Sequence, residues 1–247
     1  MKYAIIAAGE GSRLAAEGID SPKPLVTVGD DMLVDRLIKI FMDNDAEEIV
    51  IICNDLTTLV SRHLLDIQQN GLKGRPIPLR FVVKSTPSSM HSFYEISRYL
   101  SEGPFCLTTV DTIFRPEEFK AYIEALEKAI ENGSDGLMGV TDYVDDEKPL
   151  YVDVDDNEKI VGFLDKSDSC RFISGGIYGL TPRSITTLHA CIDRGESRMR
   201  NFQRALIADG LELKAYKFSK VLDIDHASDI QKAEEFLSNS TIARKGS

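Results

Sequence analysis

Residues 2–7 (KYAIIA) have the apolar, β-branched content of a short buried strand, and they run without a break into Ala8-Gly9-Glu10-Gly11-Ser12-Arg13-Leu14. Similar apolar runs recur at residues 49–53, 79–83 and 105–110. Between them, residues 32–44 and 56–69 carry apolar side chains at helical spacing. Strands alternating with helices predict parallel strands joined by right-handed crossovers, so that helices cover both faces of one sheet. Ligands of such sheets bind beyond the carboxyl ends of the strands, and the turn at residues 9–13 lies at such an end.

The chemistry of that turn narrows the reading. Glycine removes the Cβ and permits positive φ, so consecutive backbone N–H groups can close on a phosphate. Arg13 lies in the turn and Lys23 follows in Ser21-Pro22-Lys23-Pro24-Leu25, so mobile cations can join the fixed dipoles. A Walker A loop is excluded, because no Gly-Lys pair follows Gly9 or Gly11. The dinucleotide fingerprint fails at its third glycine, where Leu14 stands. Glycines 9 and 11 alone would mark an ordinary strand-to-helix turn, and Lys23 alone a solvated loop lysine.

Taken together, residues 7–14 and Pro22-Lys23-Pro24-Leu25 resemble the signature of the nucleotidyltransferases that make sugar nucleotides, the pyrophosphorylase-like and MobA-like enzymes. The resemblance implies a GT-A-like, Rossmann-type three-layer α/β/α sandwich with a mainly parallel, mixed central sheet. It implies that Ala8, Gly9, Glu10, Gly11, Ser12 and Arg13 hold a nucleoside triphosphate and that Lys23 contacts phosphate near the reacting centre.

The formal net charge of −11, from 29 Lys+Arg against 40 Asp+Glu, offers no general attraction to nucleic acid or an anionic membrane. An anionic nucleotide must be captured by a local reversal of sign. Four scattered cysteines without a C-x-x-C pair argue against a zinc site or a disulfide framework. A strand beginning at Lys2 leaves no room for a signal peptide, and no apolar run reaches membrane-span length, which gives a cytoplasmic expectation. No linker or repeat divides the chain. The expectation is one domain over residues 1–238, with a nucleotide-binding half (1–135), an acceptor-binding half (136–238) and a tail (239–247).

In the second half, residues 137–141, 151–154, 160–164, 173–180 and 213–218 read as strands and residues 182–194 and 199–209 as helices. A last helix starts near Ser228, with Ser228-x-x-Gln231 as a capping box. Candidate metal ligands are few. Asp111 follows the strand at 105–110, where the resembled family keeps a metal aspartate; the alternative is a turn residue before the helix at Pro116. In Asp223-Ile224-Asp225, strand alternation puts both carboxylates on one face. Asp223 matches the family's closing metal position, while Asp225 is either a further ligand or helix-end electrostatics. One or two carboxylates plus phosphate oxygens and water suffice for Mg²⁺. Asp153-x-Asp155-x-Asn157 is no calcium loop, since Glu158 replaces the required glycine and Leu164 the closing glutamate.

The resemblance also implies that Lys166, in Asp165-Lys166-Ser167, contacts the acceptor's phosphate, although the family's usual proline after that lysine is missing. It places Ser88 near the base, where an N-cap role is the competing reading. Gly175 and Gly176 border the acceptor pocket, their small size allowing close approach. The histidines suggest no catalytic triad.

The implied reaction joins an NTP to a sugar 1-phosphate, with pyrophosphate leaving. Phosphocholine or another small phosphate is the alternative acceptor for a cytidylyltransferase-like member. From other classes, a GT-A glycosyltransferase and a non-catalytic nucleotide-binding protein remain open. Base, acceptor and oligomeric state are not readable from the sequence.

Overall fold

The computed structural model of the chain describes residues 1–145 and 148–243. In chain order the first half forms β1 (Lys2–Ala7), α1 (Ser12–Ala16), β2 (Thr27–Val28), β3 (Asp31–Met32), α2 (Leu33–Met42), β4 (Glu48–Cys53) and α3 (Thr58–Asn70). It continues through β5 (Leu79–Val83), α4 (Ser89–Ser97), β6 (Phe105–Thr109), β7 (Thr112–Ile113) and α5 (Pro116–Glu131). The second half adds β8 (Gly136–Thr141), β9 (Tyr151–Val154), β10 (Ile160–Leu164), β11 (Phe172–Leu180), α6 (Arg183–Asp193) and α7 (Met199–Ala208). It closes with β12 (Leu213–Lys217), β13 (Leu222–Asp223) and α8 (Ala227–Ala243).

Nine strands form the main sheet. β5, β4, β1 and β6 lie side by side and parallel, as the alternation of elements predicts. The second half then changes strand direction: β11 joins β6 antiparallel, β8 joins β11 antiparallel, and β12 runs parallel to β8. The antiparallel pair β9–β10 attaches to the start of β11. The result is a Rossmann-type α/β/α sandwich with a mixed sheet.

The two covered faces are visible in β1 alone. Tyr3, Ile5 and Ala7 enter the core beneath α2, α3, α5 and α8, while Ala4 and Ile6 enter the core beneath α4, α6 and α7. Tyr3 stacks on Phe41 with ring centroids 4.5 Å apart, and on the other face of the sheet Phe93 meets Phe202 edge-on at 5.5 Å. Each buried ring of this kind contributes about 1.5–3 kcal/mol by leaving water. Cys53 and Cys106 lie in these strands and fill space; burial pushes the Cys53 thiol up to about 11.

Two local expectations are corrected. α8 begins at Ala227, and its entry is fixed by Asp229, whose Oδ2 accepts from the backbone N–H groups of Asp225 and His226 at 3.1 and 2.8 Å. Gln231 bonds forward to Glu235, so no Ser228–Gln231 box forms. α8 also runs on through residues 239–243, which were expected in a tail; residues 244–247 lie outside the described residues. The glycine turn feeds a helix of only 5 residues, α1, which ends before Gly18 at φ +86°. Lys23 then opens a single 3₁₀ turn, Lys23–Leu25.

Candidate active site

The turn after β1 is held from two sides. Gly11 sits at φ +65°, and a Cβ there would lie 3.2 Å from the Lys23 Cβ. Gly11 therefore lets the turn close directly on the lysine segment. From the neighbouring strand, the buried Asn54 amide donates to the Gly9 carbonyl at 3.0 Å and lies 3.4 Å from that of Ala8. Asn54 follows immediately on β4, so the sheet itself braces the turn.

The carboxylates arrive by a different route. Val110 donates its N–H to the Ile6 carbonyl at 3.0 Å, which carries the β6 ladder one residue further and sets Asp111 beside the start of the turn. β7 and β13 then pair Thr112 with Asp223, and the Ile224 N–H reaches the Asp111 carbonyl at 3.2 Å. Segments more than a hundred residues apart are thus joined backbone to backbone. Ile224 is fully buried, so alternation sends Asp223 and Asp225 outward together.

The Lys23 ammonium lies 2.5 Å from Asp111 Oδ2 and 2.8 Å from Asp225 Oδ1. Arg13 Nη1 takes the other Asp225 oxygen at 2.8 Å. The Lys23 side chain is only 11% exposed. Burial alone would lower its pKa, but Asp111 and Asp225 outweigh that and hold it above the ordinary lysine value. Burial likewise works to raise Asp225, yet its hydrogen bond from Lys23 and the nearby Arg13 charge bring its pKa below the usual carboxylate value. Two cations and two carboxylates form one chain of charges. Asp223 belongs to a second grouping: burial, then Asp223 and Asp111, push the phenol of buried Tyr178 upward.

A cleft of about 560 Å³ runs between the two halves of the chain. Ala8, Gly9, Glu10, Gly11, Lys23, Asp111 and Asp223 line it. Ser174, Gly176, Tyr178 and Gln203 line it as well, with Gln203 accepting from the Ser174 hydroxyl at 3.0 Å. Ser12 and Arg13 are not on this wall; Arg13, Asp225 and Gly175 line an adjoining cavity of about 490 Å³. Ser88 does face the cleft, where it caps α4 through the His91 N–H at 3.5 Å and contacts His91 Nδ1 at 2.9 Å. Gly176 is at φ +69°, at the register shift of β11 against β8, and a Cβ there would crowd the Thr112 hydroxyl at 3.3 Å.

This arrangement has known counterparts. The sequence profile described as "Nucleotidyl transferase" matches residues 2–240. The chain belongs to the nucleotidyl transferase family. It is an enzyme of that class. A UTP–glucose-1-phosphate uridylyltransferase, AglF of Haloferax volcanii, is 23% identical over 252 residues, covering 98% of each chain. Among solved structures, a putative glucose-1-phosphate thymidylyltransferase from Bacillus anthracis superposes with TM-score 0.80 at 18% identity, over 96% of this chain and 94% of the other. A CTP:phosphocholine cytidylyltransferase from Streptococcus pneumoniae gives TM-score 0.74 at 18% identity, over 95% and 98%. At these identities the superpositions describe the fold.

Several side chains of this nucleotidyltransferase's cleft carry no local sequence signal. Lys148 and Arg200 line the main cleft, the Arg13 cavity and a third cavity of about 870 Å³, and so stand where all three meet. Arg198 borders the main cleft and the third cavity, at φ +73°, with its N–H 3.4 Å from the Ser88 hydroxyl. Lys166, expected at the acceptor's phosphate, lines the third cavity and not the main cleft. It follows β10, the last strand on that side of the sheet, and this carries it outward. Asn54, Tyr178 and Gln203 complete the residues that sequence reading missed.

Among the described residues, no three Asp, Glu, His or Cys side chains converge as a ready-made metal cage. Asp111 and Asp223 face the same cleft with hard oxygen donors, a sparse set of the kind that holds Mg²⁺ together with phosphate oxygens and water. The residues present therefore fit the ion.

Proposed function

We propose that the chain transfers a nucleotidyl group from an NTP to a small phosphorylated acceptor, in the first place a sugar 1-phosphate, as a Mg²⁺-dependent reaction. An acceptor phosphate oxygen attacks the α-phosphorus, the new P–O bond forms, the α–β anhydride breaks, and the bond pair leaves with pyrophosphate. The observation that carries this reading is the meeting of the glycine turn, Lys23, Asp111 and Asp223 in one cleft, with Asp225 bound to Lys23 beside it and Lys148, Arg198 and Arg200 of the second half lining the same cleft. A sugar 1-phosphate is largely dianionic at neutral pH, its second pKa being ~6, so no general base is required of the protein.

The protein's part is alignment and charge neutralisation. The backbone of residues 8–11, braced by Asn54, would receive the triphosphate. Lys23 and Arg13 are held by carboxylates and would turn from Asp111 and Asp225 to phosphate oxygens, exchanging one anion for another. Asp111 and Asp223 would hold Mg²⁺, with Asp225 beside them. The ion would add charge neutralisation on the phosphates. Lys148 and Arg200, at the junction of the cavities, would receive the acceptor's phosphate. On this reading residues 1–135 would supply most of the nucleotide site and residues 136–238 the acceptor site, with Asp223 and Asp225 returning from the second part to the metal position.

The test is incubation with each NTP, Mg²⁺ and a panel of sugar 1-phosphates and phosphocholine, followed by pyrophosphate release and product mass. Pyrophosphate and a nucleoside diphosphate-linked product should appear in equal amounts, and only when acceptor is present. Release of a nucleoside diphosphate from a sugar nucleotide would instead indicate glycosyl transfer. Nucleotide binding without turnover on any acceptor would indicate a non-catalytic binder.

A further inference from the structure

The third cavity has a charge that the acceptor's single phosphate does not explain. Lys148, Lys166, Arg198, Arg200 and Arg204 line it. Among the described residues that line it, two are carboxylates, Asp165 and Asp168. Asp165 is already committed: its oxygens lie 2.5 Å from Arg200 Nη1 and 2.7 Å from Arg204 Nη2. Arg200 also donates to the Lys148 carbonyl at 3.0 Å and Arg204 to that of Phe163 at 3.1 Å, so these guanidinium groups help hold β10 and the 148 segment to α7. The Lys166 and Arg198 side chains have no carboxylate partner among the described residues. Both face a space that opens into the reaction cleft past Lys148 and Arg200.

We propose that this cavity receives a second anionic group on the acceptor, remote from the phosphate that reacts, so that the acceptor is a sugar phosphate bearing a further carboxylate or phosphate. The inference rests on the nucleotidyl-transfer reading and deepens it by naming the acceptor's class. The geometry is consistent: the reacting phosphate sits at the Lys148–Arg200 junction, and the remainder of the acceptor extends towards Lys166 and Arg198. A cationic acceptor such as phosphocholine meets the wrong sign here. A quaternary ammonium is recognised by aromatic faces and carboxylates. In the Arg13 cavity, Tyr143 already has the Lys220 ammonium over its ring at 4.0 Å.

The experiment compares acceptors that differ only in the second group, in the presence of saturating NTP and Mg²⁺: a hexose 1-phosphate, the matching hexuronic acid 1-phosphate, the matching hexose 1,6-bisphosphate, and phosphocholine. The expected result is that kcat/KM for at least one doubly anionic acceptor exceeds that for the neutral hexose by about tenfold or more, the scale of one charge-assisted hydrogen bond. The carboxylate and phosphate arms identify which group is taken. Lys166→Ala should reduce the charged-to-neutral ratio severalfold, and Lys166→Arg should restore it, whereas a lysine that only supports the fold would lower both acceptors alike. Equal kcat/KM for neutral and charged hexoses, or a preference for phosphocholine, overturns the second-anion site while leaving nucleotidyl transfer standing. No pyrophosphate with any acceptor overturns both.

Discussion

The two ends of the cleft treat charge in opposite ways. At the end built by β1, β6 and β13, every cation named has an anion: Lys23 lies between Asp111 and Asp225, and Arg13 holds the remaining Asp225 oxygen. At the end built by β10 and α7, cations outnumber carboxylates among the described residues, and Arg198 and Lys166 line the cavity without a carboxylate partner among them. The first end is a balanced network that must exchange partners to bind; the second is an unbalanced surface that needs an anion. Strong transition-state effects are expected from the former and recognition effects from the latter, because only groups that bind the transition state more tightly than the ground state raise kcat.

The largest expected effect is at Lys23. Lys23→Ala removes a reaction-centre cation and leaves Asp111 and Asp225 repelling each other, so kcat should fall on the order of 10²–10³-fold. A lower melting temperature should accompany this loss, measured on the ligand-free protein. If the thermal shift appears without the kinetic loss, Lys23 is structural and the contrast between the two ends fails.

The carboxylates come next and can be ranked against one another. Asp111→Asn and Asp223→Asn should each lower Mg²⁺-dependent turnover on the order of 10²-fold, with the fold intact by circular dichroism. Asp225→Asn should cost less, since its partners are Lys23 and Arg13. Titration calorimetry of Mg²⁺ in the presence of NTP would sharpen the ranking: a loss of ion binding in Asp225→Asn equal to that in Asp223→Asn would make Asp225 a full ligand.

At the other end, Arg200→Ala should raise the acceptor KM about tenfold, the scale of one charge-assisted hydrogen bond, with the NTP KM nearly unchanged. Steady-state kinetics with the acceptor varied checks it, and an equal rise in both KM values would erase the distinction.

The smallest effect is on pH. Asp225 titrates below its unfolded value of ~3.9 and Lys23 above ~10.4, so the stability from their pairing is present throughout the range between. It is lost as pH falls through the lowered Asp225 pKa, and again as pH rises through the raised Lys23 pKa. Asp225 is 42% exposed, so the amplitude is small. Between pH 5 and 8, denaturation midpoints should show no transition from this network, and activity should rise through ~6 with ionisation of the acceptor phosphate.

What was legible in the sequence follows the same division. The turn after β1, Lys23, Asp111 and the Asp223-Ile224-Asp225 alternation are each local patterns, and a local pattern can be read without knowing which segments meet. Even there, the bond from Lys23 to both Asp111 and Asp225 was invisible, because it depends on β7 and β13, two-residue strands too short to carry a period. α1, at 5 residues, lies below any length at which a helical pattern can be recognised. Lys148, Arg198 and Arg200 come from two separate segments brought together by the β9–β10 hairpin and α7, and their spacing along the chain says nothing of that meeting. Lys166 was noticed through its resemblance to a motif, yet a position in a motif does not give the direction taken by an edge strand.

The most direct test of the division between the two ends is one matched set of initial velocities, with NTP and acceptor varied independently, for wild type, Lys23→Ala and Lys148→Ala. Lys23→Ala should lower kcat with little change in acceptor KM, and Lys148→Ala should raise acceptor KM with little change in NTP KM. If both variants move the same constant by the same factor, the cleft is one undivided site and the contrast between its ends is wrong.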